Sequence, residues 1–216
     1  MAFSRKDKRQ ARREGVRHQE LGYYLILTDT EKTEKNYFEG LKRALPLSKQ
    51  QRITIRVESC ASKDLVAKAK EAARYSDNAV SVWLVFDRDR LTIFDQIVAS
   101  CQASGGAIHA AWTNPCLEIW FYAYFDNLPS CFDSVACVQQ FKALFEKKTG
   151  QKYQKNDEDI YRKLCQYGSE PDAIRRMQQR DEQFARDQPQ LAPSQKAPCG
   201  TIYRLVQEIR QAIAGS

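Results

Sequence analysis

The sequence predicts an α/β protein in which a central parallel sheet is flanked by helices and followed by a helical C-terminal portion. Two observations carry this expectation. Four short apolar runs rich in β-branched and aromatic residues occur in the first half of the chain, and each is followed by a stretch with apolar residues at helical spacing. That alternation makes parallel strands joined by crossover helices, with helices on both faces of the sheet. In the second half the helical spacing continues and no convincing strand pattern returns.

Each element has its own signal. "YYLILT" (23–28) reads as a buried strand, and "TEKNYFEGLKRAL" (33–45) as a helix facing the core with Tyr37, Phe38, Leu41 and Leu45, with Thr33 able to cap it. "RITIRVES" (52–59) alternates as a strand with one wetter face, and "SKDLVAKAKEAARY" (62–75) is a helix with Ser62 as its N-cap. "AVSVWLVF" (79–86) is the most apolar run and therefore the expected central strand. "LTIFDQIVASCQAS" (91–104) is an amphipathic helix closed by Gly105-Gly106, and "AIHAAWT" (107–113) is the fourth strand. "NPCLEIWFYAYF" (114–125) starts as a helix by two rules, since Asn114 can cap and Pro115 suits a first turn. Segments 133–150, 156–168, 170–187 and 201–214 carry helical patterns, and 188–200, with three prolines, reads as a loop. The expected organisation is a basic arm over 1–20, an α/β core over 21–128 and a helical extension packing on it over 129–216.

Composition narrows the function classes. No apolar run approaches the ~20 residues of a membrane span, and the basic N-terminus lacks the apolar stretch of a secretory leader, so a cytoplasmic protein is expected. Seven cysteines without a C-x-x-C pair, and only two histidines, argue against a disulfide framework or a zinc site. The cysteines read as reduced, mostly buried small hydrophobes, and His109 as packed in its strand. The net charge is +7, and the first 17 residues hold seven Lys and Arg against Asp7 and Glu14. This arm is either a solubilising tail or a phosphate-contacting one, with Arg12 and Arg13 at its centre.

The acids carry the chemistry. In an open α/β sheet functional groups gather beyond the carboxyl ends of the strands. The first strand exits into "TDTEKTE" with Asp29, Glu31 and Glu34, the third into "DRDR" with Asp87 and Asp89, and the fourth into Asn114 with Glu118 a turn along. Parallel strands bring all of them to one rim. Carboxylates held together resist joint ionisation unless a cation neutralises them, and oxygen ligands without histidine favour Mg2+ or Mn2+. Arg88 and Arg90 then project towards phosphates or a pairing acid, and Lys32 towards solvent or a phosphate. The competing reading of Asp87–Arg90 is a surface ion-pair knot, which would contribute only about 0–1 kcal/mol per pair. Glu31 and Glu34 also suit a helix N-terminus, Asn114 a cap, and Trp112, Trp120 and Phe121 a core. Glu118, inside an apolar block, needs a buried partner.

"LILTDTEKTEKNYFEGLK", "VWLVFDRD" and "TNPCLEIWF", in that order, resemble the signature blocks of the RloB-like family. "YQKNDEDIY" and "PCGTIYRLV" fall where that family carries a K-x-D-x-x-I-Y-like block and a closing N-P-S-T-x-V-like block. The resemblance spans roughly residues 21–206. It implies a Toprim-like domain, in which a carboxylate after the first strand and a D-x-D after the third bind Mg2+ and drive phosphodiester chemistry. The matching positions are Asp29, Asp87 and Asp89, with Glu34 and Glu118 as further candidate catalytic acids and Asn114 as support. It also implies a phage-defence (abortive-infection) setting with an ATPase partner. Two departures stand out: the family's C-E-G-E-K-T-E appears as "TDTEKTE", with Asp29 for Glu and Thr30 for Gly, and its closing block as P-C-G-T.

Three functions follow as expectations. The first is a Mg2+-dependent nuclease acting on DNA or RNA, with Asp87, Asp89 and Asp29 on the metal and Lys32, Arg88, Arg90, Arg12 and Arg13 on the nucleic acid. The second is a degenerate subunit that binds nucleic acid or an ATPase, which the shorter Asp29 and the non-glycine Thr30 favour. The third is nucleotidyl transfer. The helical second half is the place for a partner surface, whether of an ATPase or of a second copy of the chain.

Overall fold

The computed structural model describes residues 22–29, 32–50, 53–75, 80–89 and 91–214. Arg12, Arg13, Thr30, Glu31 and Arg90 lie outside the described residues. The strands are β1 (Gly22–Thr28), β2 (Ile53–Ser59), β3 (Val80–Asp87), β4 (Ile108–Asn114) and β5 (Cys199–Gly200). They form one sheet in the order β2-β1-β3-β4-β5, with the first four parallel and β5 antiparallel to β4. The helices of the first half are α1 (Thr33–Arg43), α2 (Leu47–Gln50), α3 (Leu65–Tyr75), α4 (Phe94–Gln102) and α5 (Glu118–Ala123). Those of the second half are α6 (Ser134–Thr149), α7 (Ile160–Tyr167), α8 (Glu170–Asp187) and α9 (Ile202–Ala214).

The two faces of the sheet build two cores. Successive strand residues point to opposite faces. Leu25, Leu27, Leu84 and Phe86 accordingly pack with Leu65 and Ala69 of α3 and with Phe94, Ile97 and Val98 of α4. Ile26, Trp83 and Val85 pack on the other side with Tyr37, Phe38 and Leu41 of α1, Trp120 and Phe121 of α5, and Leu205, Val206 and Ile209 of α9. The second core thus joins the sheet to the C-terminal helices. A polar network crosses it. The Tyr37 and Tyr124 hydroxyls pair at 2.7 Å, Tyr161 donates to Glu170 Oε2 at 2.9 Å, and Arg210 Nε donates to Glu170 Oε1 at 2.5 Å.

Several local expectations are corrected. The Asn-Pro signal does not start a helix at Asn114. That residue ends β4, a cis peptide joins it to Pro115, and α5 begins at Glu118. Ser62 caps nothing, because a 3-10 turn over Ser62–Asp64 precedes α3, and Thr33 lies inside α1 with its hydroxyl bonded to the Lys155 carbonyl at 3.0 Å. The proline-rich loop ends in a strand: β5 pairs Cys199 with Asn114 and Gly200 with Thr113. The closing block explains this pairing. Thr201 N donates to the Trp112 carbonyl at 2.8 Å, and the Thr201 hydroxyl bonds the Ala110 carbonyl at 3.0 Å. A Cβ at Gly200 would lie 2.7 Å from the Trp112 carbonyl oxygen, so β5 approaches too closely for a side chain there.

Trp112, Trp120 and Phe121 are buried, and the His109 ring stacks on Trp83 at 4.7 Å, as expected of core residues. The cysteines are free thiols, five of them buried, with Cys60 half-buried and Cys165 exposed. Among the described residues no helix is long and apolar enough to cross a membrane.

Candidate functional site

Strand register brings the acids to one rim. Thr28 of β1 lies beside Val85 of β3, and Asp87 of β3 beside Thr113 of β4, so Asp29, Asp87 and Asn114 leave the sheet at the same carboxyl edge. Asp29 N donates to the Val85 carbonyl at 3.3 Å, which extends the β1–β3 ladder up to the acid. Beyond β3 the chain is pinned to β4's exit, with Arg88 N on the Thr113 carbonyl and Asp89 N on the Pro115 carbonyl, both at 2.8 Å. Ser134 at the start of α6 donates its hydroxyl to Asp89 Oδ1 at 2.5 Å.

A cavity of about 370 Å3 opens on this rim, lined by Lys32, Thr33, Glu34, Asp87, Asp89, Leu117, Glu118 and Lys155. Asp89 is exposed at its mouth, whereas Glu34 and Glu118 are buried. Asp29 is half-buried and outside this lining, and among the described residues its Oδ1 is buried without a hydrogen-bond partner. Glu118 is answered by two groups from the segment before α7: the Tyr153 hydroxyl donates to it at 2.9 Å, and Lys155 Nζ stands 3.7 Å away. Tyr153 is held by edge-on packing against Phe141, 4.8 Å between ring centres.

Crowded, half-dry carboxylates are hard to ionise together. Burial pushes the Asp29 carboxyl up to about 7, with the negative charges of Asp87 and Asp89 adding to it. Burial likewise lifts Glu34 to about 8, helped by Asp29 and Glu118 and opposed by its own backbone hydrogen bond and by Lys155. Asp87 is held well above the carboxylate range, first by burial and then by Glu34, Glu118 and Asp89. Lys155 is raised, chiefly by Glu118. The mutual influence places all five acids within one electrostatic unit.

Among the described residues Arg88 takes no part in an ion-pair knot. Arg88 donates to the carbonyl oxygens of Asp89 and Leu91, at 3.0 and 3.4 Å, and no ion pair joins it to Asp87 or Asp89 among the described residues. Asn114 is a support rather than a cap: its Nδ2 donates to the carbonyls of Pro193 and Ser194 at 3.1 and 3.0 Å, fastening the proline-rich loop behind the site. Lys32 stands exposed at the cavity wall. Tyr153, Lys155 and Ser134 are not singled out individually by the sequence, although Lys155 opens the K-x-D-x-x-I-Y-like block.

Among the described residues no three of the Asp, Glu, His and Cys side chains form a finished ligand group for a metal ion. The donor chemistry nevertheless fits a hard divalent cation. Mg2+ is usually held by one or two carboxylates and completes its shell with water and substrate phosphates. Here Asp87 and Asp89 face one cavity, and Asp29 offers a buried oxygen with nothing bonded to it.

The model of the RloB-like protein family matches residues 24–209. The chain belongs to the RloB-like family. The matched span takes in the acidic rim, the Lys155 segment and the closing Thr201 block. The chain matches no curated protein and no solved structure at a significant level.

Proposed function

We propose that this RloB-like protein is a Toprim-type, Mg2+- or Mn2+-dependent nuclease that hydrolyses phosphodiester bonds in DNA or RNA and serves phage defence (abortive infection) with an ATPase partner. The observation that supports it is the set of acids with raised proton affinity around one open cavity, beside a buried Asp29 oxygen that lacks a partner. A fold gains nothing from such crowding, so the cluster fits a site that becomes neutral on binding a cation.

In this reading Asp87 and Asp89 hold the ion, with Asp29 behind them. When bound, the divalent ion stabilises charge developing on the scissile phosphate. Lys155 and Lys32 draw the phosphate backbone to the cavity. Glu34 and Asp29, with proton affinities near neutrality, accept a proton from the attacking water. Tyr153 and Lys155 fix Glu118, which keeps the far wall charged and oriented.

The test compares wild type with Asp87→Asn/Asp89→Asn on single-stranded DNA, double-stranded DNA and tRNA, with Mg2+ or Mn2+. Cleavage by wild type and its loss in the double variant is the expected result; equal cleavage by both would remove the assignment. The absence of Asp29 from the cavity lining favours a second reading as a non-cleaving binding subunit. That reading expects no cleavage by wild type and no calorimetric signal of cation binding that the double variant loses.

A further inference from the structure

Phe132 is 75% exposed and Val135 is 62% exposed, and both line a cavity next to the acidic one. Phe132 makes no ring contact with another aromatic among the described residues. Two more cavities meet at its ring. One, of about 310 Å3, is lined by Arg88, Asp89, Asn114, Phe132 and Ser134 among others. The next, of about 330 Å3, is lined by Phe132, Arg180, Gln183 and Gln188 among others. Asp89 is therefore the shared wall between the acidic cavity and the first of these, and Phe132 the shared wall between the first and the second.

We propose that this row of cavities is a track for single-stranded nucleic acid, with one unpaired base stacked on Phe132 while its neighbouring phosphate sits at Arg88. The proposal rests on the nuclease reading and names its substrate class. An exposed ring bordered by polar cavities suits a nucleobase, which presents an apolar face and a polar edge. Arg88 and Arg180 give each cavity one guanidinium for a phosphate, set against Asp89 and Asp133 in the first and Asp187 in the second. The acid at Phe132's side, Asp133, is already engaged in capping α6 through Ala136 N at 2.8 Å. A duplex cannot use the ring, because the faces of its bases are covered by their neighbours. Strand ends, loops and unwound segments can.

The test is equilibrium binding of the full chain, in EDTA so that no cleavage intervenes, to a short single-stranded oligonucleotide carrying 2-aminopurine and to its fully paired duplex. Phe132→Ala should bind the single strand about tenfold more weakly and lose the quenching of 2-aminopurine. Phe132→Trp should restore both, and duplex binding should be equal in all three proteins. Equal single-strand affinity of Phe132→Ala and wild type would overturn the proposal. So would a change confined to self-association in sedimentation, which would make the patch a contact between copies of the chain. Failure of the nuclease reading looks different: no cleavage with Mg2+, while binding that depends on Phe132 persists.

Discussion

Replacing Asp29 by Asn removes a carboxyl that the fold holds protonated up to about pH 7, against 3.8 for an unperturbed Asp. Between those values the folded chain keeps a proton that the unfolded chain has released, so metal-free stability falls as pH rises. The contribution is fully present below 3.8 and is lost above about 7. A shift of this size corresponds to an upper limit of about 4 kcal/mol, at 1.36 kcal/mol per pKa unit. Glu34, lifted to about 8 partly by Asp29, extends the same decline upwards. Asp29→Asn is neutral at every pH and also relieves Glu34, so its stability curve should be flatter. Thermal unfolding followed by circular dichroism in EDTA should show the two proteins alike near pH 4. By pH 9 the variant should melt several degrees higher, since each kcal/mol moves Tm by roughly 2–4 °C in a domain of this size. Mg2+ should flatten the wild-type curve by neutralising the ionised acids. Parallel curves for wild type and variant would refute the electrostatic account of the site.

Other outcomes follow from single contacts. Glu170→Ala strips Arg210, Tyr161 and Tyr124 of their common acceptor and should cost about 3 kcal/mol in urea unfolding, because it leaves a partly buried arginine unpaired. Gly40→Ala puts a methyl 2.6 Å from Tyr161 Cβ, wedging α1 from α7, and should cost about 1–3 kcal/mol by the same measurement. Tyr153→Phe removes the 2.9 Å hydrogen bond to buried Glu118. Its cleavage rate with Mg2+ should drop by about tenfold or more, and its circular dichroism spectrum should remain native.

The four parallel strands are legible because each carries an apolar run long enough to have a period. β5 has no such signal. Its two residues pair because Thr201 and Gly200 fit against β4, a contact made across some 90 residues of sequence. Asn114 misleads for a related reason: cap chemistry favours a helix start, but the Pro193 and Ser194 carbonyls claim its amide. The rim of acids follows from strand direction alone. The setting of each acid does not, since the sequence treats Asp29, Asp87 and Asp89 as equivalent, whereas Asp29 is half-buried outside the cavity lining, Asp87 is half-buried in its wall and Asp89 is exposed at its mouth. Glu118 announces itself as a carboxylate among apolar neighbours, but its partners Tyr153 and Lys155 lie more than thirty positions away.

The fastening of Asn114 to residues 193 and 194 has a consequence for biosynthesis. Every acid of the rim has been joined to the chain once about 120 residues are made, yet the lysine facing them comes at 155 and the brace behind them near 195. A growing chain thus carries the acids long before it carries what shapes them into a cleft. The same holds for a fragment ended by premature termination.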